Sequence, residues 1–155
     1  MKATDIMTTE FDTVSPSATV KEAVTLLRSG KRGEKGTHAL MVVDENGGLI
    51  GIITISNILR AIVPPYMGVA HIAEFAWNGL FEKMCRKVEE MRVSELMDKR
   101  VVTATSDMNL IEIAEIMLKY RIERLPVAEG GRILGIVYKK ELFFTIVGTM
   151  LGDGR

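Results

Sequence analysis

The chain has 155 residues, 47% apolar and 26% charged, with 20 Lys+Arg balanced by 20 Asp+Glu. That length suits one compact domain or two very small ones, and the composition excludes disordered and fibrous classes. Zero formal charge disfavours nucleic acid as a partner, and one cysteine, Cys85, rules out an internal disulfide and fits a reducing compartment.

The first eight residues lack the apolar core of a signal peptide. No uncharged apolar run reaches the length of about 18 residues that reads as a membrane span. Leu49 to Ala61 is interrupted by Ser56, Asn57 and Arg60, and Leu142 to Leu151 is too short. The expectation is a cytoplasmic protein with no membrane partner.

In chain order, Asp5-Ile6-Met7 predicts a short turn of helix, and Phe11 to Val14 an extended segment. Thr19-Val20-Lys21-Glu22 has the capping-box form, and apolar residues at 20, 23, 24 and 27 follow helical spacing. The basic, Gly-rich insert 28–36 fails the Gly-x-x-x-x-Gly-Lys spacing of a phosphate-binding loop. It reads either as a solvated loop or as a flap over a polyphosphate. Ala39 to Val43 predicts a strand, Asn46-Gly47 a hairpin turn, and Leu49 to Ile53 the returning strand. A helix then runs through Ile58 to Val63 and stops at Pro64-Pro65. Apolar residues at 69, 72, 73, 76, 77, 80, 81, 84, 88 and 91 predict a long helix, with Gly79 as its weak point. Its apolar stripe either packs on its own module or serves self-association or partner docking.

From residue 92 the chain repeats itself. Met7 falls on Met97, Thr13 on Thr103 and Glu22 on Glu112, and Gly51-Ile52-Ile53 meets Gly135-Ile136-Val137. The second copy predicts a short turn at Glu95-Leu96-Met97 and an extended segment from Val101 to Ala104. An Asn109-capped helix follows, with apolar residues at 110, 113, 114, 117 and 118. Strands over Leu125–Ala128 and Ile133–Val137 and a helix from Leu142 to Met150 complete it. Each copy thus reads as β-α-β-β-α. One copy of about 60 residues buries little surface alone, so two copies packed sheet to sheet are expected.

An enzyme fares poorly on these residues. His38, His71 and Cys85 lack metal-ligand spacing, and Glu89-Glu90 point apart on a helix. Neither a nucleophile elbow nor a Gly-x-Gly-x-x-Gly fingerprint appears. No catalytic or metal-binding residue is assigned.

The ordered set Asp5-Ile6-Met7, capped helix, Leu40-Met41-Val42-Val43-Asp44-Glu45-Asn46-Gly47-Gly48-Leu49-Ile50-Gly51-Ile52-Ile53-Thr54 resembles the cystathionine-β-synthase (CBS) domain. Arg124-Leu125-Pro126-Val127 and Ile133-Leu134-Gly135-Ile136-Val137 resemble a second one. The whole is similar to a tandem CBS pair, or Bateman module. The resemblance implies an α+β fold: two tandem β-α-β-β-α motifs packed through their sheets as a pseudo-two-fold module, with a long inter-motif helix. It places the motifs at 1–63 and 92–150; the apolar periodicity puts a linker helix at 64–91 between them, and a tail remains at 151–155. It implies a stand-alone, non-enzymatic regulatory module, homodimeric, acting in trans on an unknown effector protein. The implied ligand is an adenosyl-containing small molecule (AMP, ADP, ATP or S-adenosylmethionine), with no cofactor required. The alternative is a ligand-free interaction scaffold.

The family's Gly-h-h-Thr/Ser-x-x-Asp pattern, whose carboxylate takes ribose hydroxyls, maps onto this chain with departures. The first copy has Thr54 and, in place of Asp, Asn57, which either accepts a ribose bond without charge assistance or caps the helix. The second copy has Tyr138 in place of the hydroxyl residue and Glu141 in place of Asp. The resemblance puts the base against Thr13, Val14 and Ser15, and against Thr103, Ala104 and Thr105. It puts phosphates near His38 and Arg124, although Arg124 also has Glu123 and Glu129 as possible ion-pair partners.

Overall fold

A computed structural model describes residues 1–29, 39–63 and 79–153. The first-copy elements are α1 (Ala3–Ile6), β1 (Thr13–Val14), α2 (Val20–Ser29), β2 (Ala39–Val43), β3 (Leu49–Thr54) and α3 (Ile55–Ile62). Next come α4 (Leu80–Glu89), α5 (Val93–Leu96), α6 (Leu110–Tyr120), β4 (Arg124–Glu129), β5 (Arg132–Tyr138) and α7 (Lys139–Leu151). The protein is α+β, and both halves carry the expected order of elements except that the second has no first strand.

The predicted helix starts follow from side-chain capping. Thr19 N–H donates to Glu22 at 3.0 Å, and Glu22 N–H donates back to Thr19 Oγ1 at 3.2 Å. These bonds satisfy donors that the first turn of a helix leaves open. Asn109 Oδ1 accepts from Glu112 N–H at 3.0 Å in the same way. Both predicted strand pairs are present, and the structure adds the partner of β1. β1-β2-β3 form one sheet, with β1 parallel to β2 (Thr13 opposite Met41, Val14 opposite Val42). β4 and β5 form an antiparallel pair, closed by Gly130 and Gly131. Both glycines have positive φ (57° and 82°), which a two-residue hairpin turn of this kind requires.

Four elements differ most in extent from the sequence reading. α3 and α7 begin three residues earlier than Ile58 and Leu142. The second extended segment reduces to a single parallel bridge, Ala104 to Val127. In the inter-copy segment the described helix starts only at Leu80. Gly79 precedes it at φ 72°, a left-handed conformation that a continuous α-helix does not contain. The rest of that predicted helix (residues 64–78, with Trp77 and His71) lies outside the described residues, as do residues 30–36 of the basic insert.

The chain divides into two compact units that cut across the copies. One contains Met1–Phe11, Gly47–Leu49 and Val102–Arg155; the other contains Asp12–Asn46 and Ile50–Val101. The opening segment of each copy is therefore built into the unit of the other. Thr8 and Ile136 exchange two backbone bonds at 2.8 and 2.9 Å, and Asp98 and Ile52 make the equivalent pair at 2.8 and 3.0 Å. Ala3 of α1 is buried with Ala104, Ile113, Met117, Leu125, Val127, Val137 and Leu142. Val93 of α5 is buried with Val14, Ala23, Leu40, Val42 and Ile53. Each core thus closes around one helical turn delivered from the other copy.

Candidate functional site

In the first copy the end of β3 runs directly into α3, and Thr54 is the N-cap. Its Oγ1 accepts from Asn57 N–H at 3.3 Å, while Asn57 Oδ1 accepts from Thr54 N–H at 2.7 Å and from Thr54 Oγ1 at 2.8 Å. This is a capping box with Asn in the place usually held by Glu or Gln. Asn57 is only 6% exposed, the one buried polar side chain among the described residues. Of the two readings of Asn57, helix capping is therefore realised, with Asn57 inside the helix rather than at its N-cap. Its oxygen already holds two bonds, which is the full lone-pair capacity of an amide oxygen. Its Nδ2 meets no acceptor among the described residues. A buried donor left in that state costs about 1–3 kcal/mol.

Thr13, Val14 and Ser15 lie on and just after β1, an edge strand whose outer backbone groups the sheet does not use. Val14 is buried, while Thr13 and Ser15 are exposed. Ser15 Oγ is already engaged, at 2.9 Å from Ser17 Oγ and accepting from Ser17 N–H at 3.2 Å. His38 lies outside the described residues.

In the second copy Ala104 is pinned to β4 through Ala104 N–H to Pro126 O and Ala128 N–H to Ala104 O, both at 2.9 Å. Parallel pairing of this kind turns the peptide groups of the flanking residues away from the partner strand. Thr103 and Thr105 are those flanking residues, and both are exposed. Thr105 Oγ1 donates to Asp107 Oδ1 at 2.8 Å.

Sequence reasoning does not single out the next residue, Ser106. Its backbone N–H and its hydroxyl both donate to Glu129 Oε1. These bonds, the hydroxyl's foremost, hold the Glu129 carboxyl below its usual range. A lowered carboxyl pKa adds stability that is present above the unfolded-state value and is lost as pH falls through the folded one. Ser106→Ala is expected to raise the Glu129 pKa towards the ordinary value, with the backbone bond keeping part of the depression. A carboxyl-carbon NMR titration reads this directly, and an unchanged midpoint would contradict the assignment.

Arg124 and Tyr138 are cross-strand partners on β4 and β5, so their side chains leave the same face as neighbours. Both ion-pair partners suggested for Arg124 are otherwise engaged. Glu123 faces Lys139 Nζ at 3.5 Å, the one ion pair among the described residues, and Glu129 is held by Ser106. Arg124, a half-buried residue, therefore has no carboxylate partner among the described residues. Tyr138 is the N-cap residue of α7 but makes no side-chain cap bond. Glu141, in the first turn of α7, is exposed, and its carboxylate makes no bond within the described residues. The second copy thus brings a cation, a phenol and an acceptor-only carboxylate to the β5–α7 junction. The matched junction of the first copy is closed by its own capping box.

The family model for the CBS domain matches residues 3–64 and 93–148. The chain belongs to the CBS domain family. The two CBS matches make it a tandem pair. Among curated relatives, the CBS domain-containing protein YhcV of Bacillus subtilis is 30% identical over 134 residues, covering 86% of this chain and 76% of YhcV. The uncharacterized protein MJ1225 of Methanocaldococcus jannaschii is 31% identical over 140 residues, 89% of this chain and 44% of MJ1225. The crystal structure of MJ1225 superposes with a TM-score of 0.72 at 28% identity, covering 94% of this chain and 47% of that one. The cytosolic domain of the Mg2+ channel MgtE in complex with ATP superposes with a TM-score of 0.68 at 27% identity, covering 92% and 48%. The CBS pair spans between 24% and 44% of the length of three of the curated relatives it matches. No helix among the described residues is long and apolar enough to cross a membrane.

Proposed function

We propose that this CBS pair is a regulatory, non-catalytic module that binds an adenine nucleotide and passes the bound state to a partner protein in trans. The observation that carries this reading is the Arg124–Tyr138–Glu141 group at the β5–α7 junction. A guanidinium with no carboxylate partner among the described residues suits a phosphate, an aromatic ring beside it suits a base or sugar face, and an exposed carboxylate accepts ribose hydroxyls. The similar MgtE cytosolic domain, solved with ATP, supports the same ligand class. Thr103 and Thr105, and in the first copy Thr13, Val14 and Ser15, supply backbone edges that suit adenine. His38 remains the first-copy phosphate candidate on the resemblance alone. MJ1225, proposed as an archaeal homologue of γ-AMPK, supports regulation as the role.

A homodimer belongs to the same proposal. α7 leaves Phe143, Phe144, Ile146, Met150 and Leu151 exposed, more apolar surface than a solvated helix carries. A cytoplasmic location goes with it.

One observation favours the second reading, a ligand-free scaffold: the capping box that occupies Thr54 and the Asn57 oxygen. Thermal unfolding with AMP, ADP, ATP and S-adenosylmethionine separates the two. A ligand present at about 100 times its Kd stabilises the folded state by about 2.7 kcal/mol, which for a chain of this size raises Tm by about 5–10 °C. A rise with at least one of the four is expected. No rise with any of them would leave the scaffold.

A further inference from the structure

We infer that the homodimer is joined through the second copies, α6 and α7 of one protomer lying against α6 and α7 of its partner, while the matching face of the first copy stays in water. This rests on the homodimer proposed above and names the face that makes it. The repeat supplies an internal standard. Thr19–Glu22 falls on Asn109–Glu112 and Gly51 on Gly135, so positions on α2 and α3 have counterparts on α6 and α7. Three exposed counterparts change chemistry in one direction: Lys21, Arg28 and Arg60 are matched by Ile111, Leu118 and Phe144. Ile111 is 84% exposed and Leu118 71%, two turns apart on one side of α6. Both copies use the same frame of elements, so the backbone does not ask for this change; a cover over the second copy does. α6 packs on α7 within one compact unit, and from Phe143 to Gly152 the chain carries no charge.

A second copy of the chain suits this face by area and by chemistry. Phe143 and Phe144, each a little over half exposed, offer about 200 Å² between them. The aliphatic side chains of α6 and α7 bring the total near the ~800 Å² that each partner of a standard interface buries. An apolar, charge-poor patch is the composition of a homodimer interface rather than of a transient one. The first copy does not fit the same face, because Lys21, Arg28 and Arg60 would lose water against apolar side chains. Glu115, between Ile111 and Leu118 on α6, answers one of the three at most. Two first copies set face to face would bring like cations together. Second copy against second copy avoids both costs, and such a contact is isologous.

Sedimentation velocity tests the face. The triple variant Ile111→Lys, Leu118→Arg, Phe144→Arg gives the second copy the residues that the first copy already carries at the matched positions. Its dimer dissociation constant is expected to rise at least about 100-fold. Leu59→Arg, on the exposed side of α3, is expected to leave the dimer unchanged. Nitroxide labels on Lys119→Cys and, separately, on Ser29→Cys, matched exposed positions in a Cys85→Ser background, read the contact directly. The distance between protomers is expected to be shorter at residue 119 than at residue 29. A triple variant that stays dimeric, a Leu59→Arg variant that dissociates as far, or a label distance at residue 29 equal to or shorter than that at 119 would overturn the second-copy face and leave the homodimer standing. If the triple variant does not fold, the label distances decide alone. A parent protein that sediments as a monomer at every concentration would overturn the homodimer, and this face with it.

Discussion

Gly135→Ala is expected to destabilise the protein by about 1–3 kcal/mol, while Gly148→Ala stabilises it by about 0.5–1 kcal/mol. The same chemical change has opposite signs because the surroundings differ. A Cβ on Gly135 would lie 2.8 Å from the Thr8 carbonyl oxygen and 2.9 Å from Met7 Sδ. That oxygen is the one that accepts from Ile136 N–H, so it cannot retreat without loosening the exchanged segment. A Cβ on Gly148 meets nothing within 4 Å, and Gly148 sits inside α7, where alanine restricts the unfolded chain more than glycine does. Gly51→Ala tests the first-copy equivalent. Its closest neighbour is Met97 Sδ at 2.5 Å, a flexible group, with the Asp98 carbonyl oxygen at 3.1 Å, so a smaller loss than at Gly135 is expected. Urea unfolding of the three variants checks the order. Equal midpoints for Gly135→Ala and Gly148→Ala would show that the close approach to Thr8 carries no weight.

Arg124→Ala is expected to weaken ATP binding by about 10- to 100-fold, the range for a hydrogen bond to a charged group, and to leave adenosine binding unchanged. Arg124 has no carboxylate partner among the described residues, so its removal orphans no buried charge. The folded state loses only the packing of the side-chain stem. Arg124→Lys is expected to fall between the two, because lysine keeps the charge but not the two-pronged donor geometry. Calorimetric titration with ATP and with adenosine reads both numbers. Parallel losses for ATP and adenosine would place Arg124 in the structure of the site rather than on a phosphate. An unchanged ATP affinity would remove it from the site.

Much of the fold was legible because its signals are local. The Thr19–Glu22 and Asn109–Glu112 caps, the Asn46-Gly47 and Gly130-Gly131 turns and the short apolar runs of β2 and β4 each depend on a few neighbouring residues. The starts of α3 and α7 were missed for a physical reason. Asn57 performs a task the sequence rule expects from Glu or Gln, and Tyr138 offers α7 no side-chain cap at all. The exchange of opening segments was not legible either. Asp5-Ile6-Met7 and Glu95-Leu96-Met97 predict the same turn of helix, and nothing in their own residues says which sheet that turn joins. Gly51 and Gly135 were visible as members of the repeat, but the carbonyl that each must admit is far away in sequence. At the site, the sequence left Arg124 between a ligand and two glutamates. Those glutamates are occupied by Lys139 and Ser106, a matter of three-dimensional placement that no spacing rule encodes. For Asn57 the residue type was legible, but which end of its amide remains available depends on the Thr54 backbone.

The bond pair between Thr8 and Ile136, with its counterpart between Asp98 and Ile52, bears on how such a gene can arise. A half-length ancestor carrying one copy, with its helical turn unable to reach its own core, would hold a turn without a seat and a seat without a turn. Two such molecules would have to meet before either could finish folding, so their assembly would depend on concentration. Fusing the two genes places the missing piece at an effective concentration in the millimolar range for a short flexible tether, and turns that encounter into a first-order event. Duplication here does more than double a binding unit; it makes each half the other's folding template.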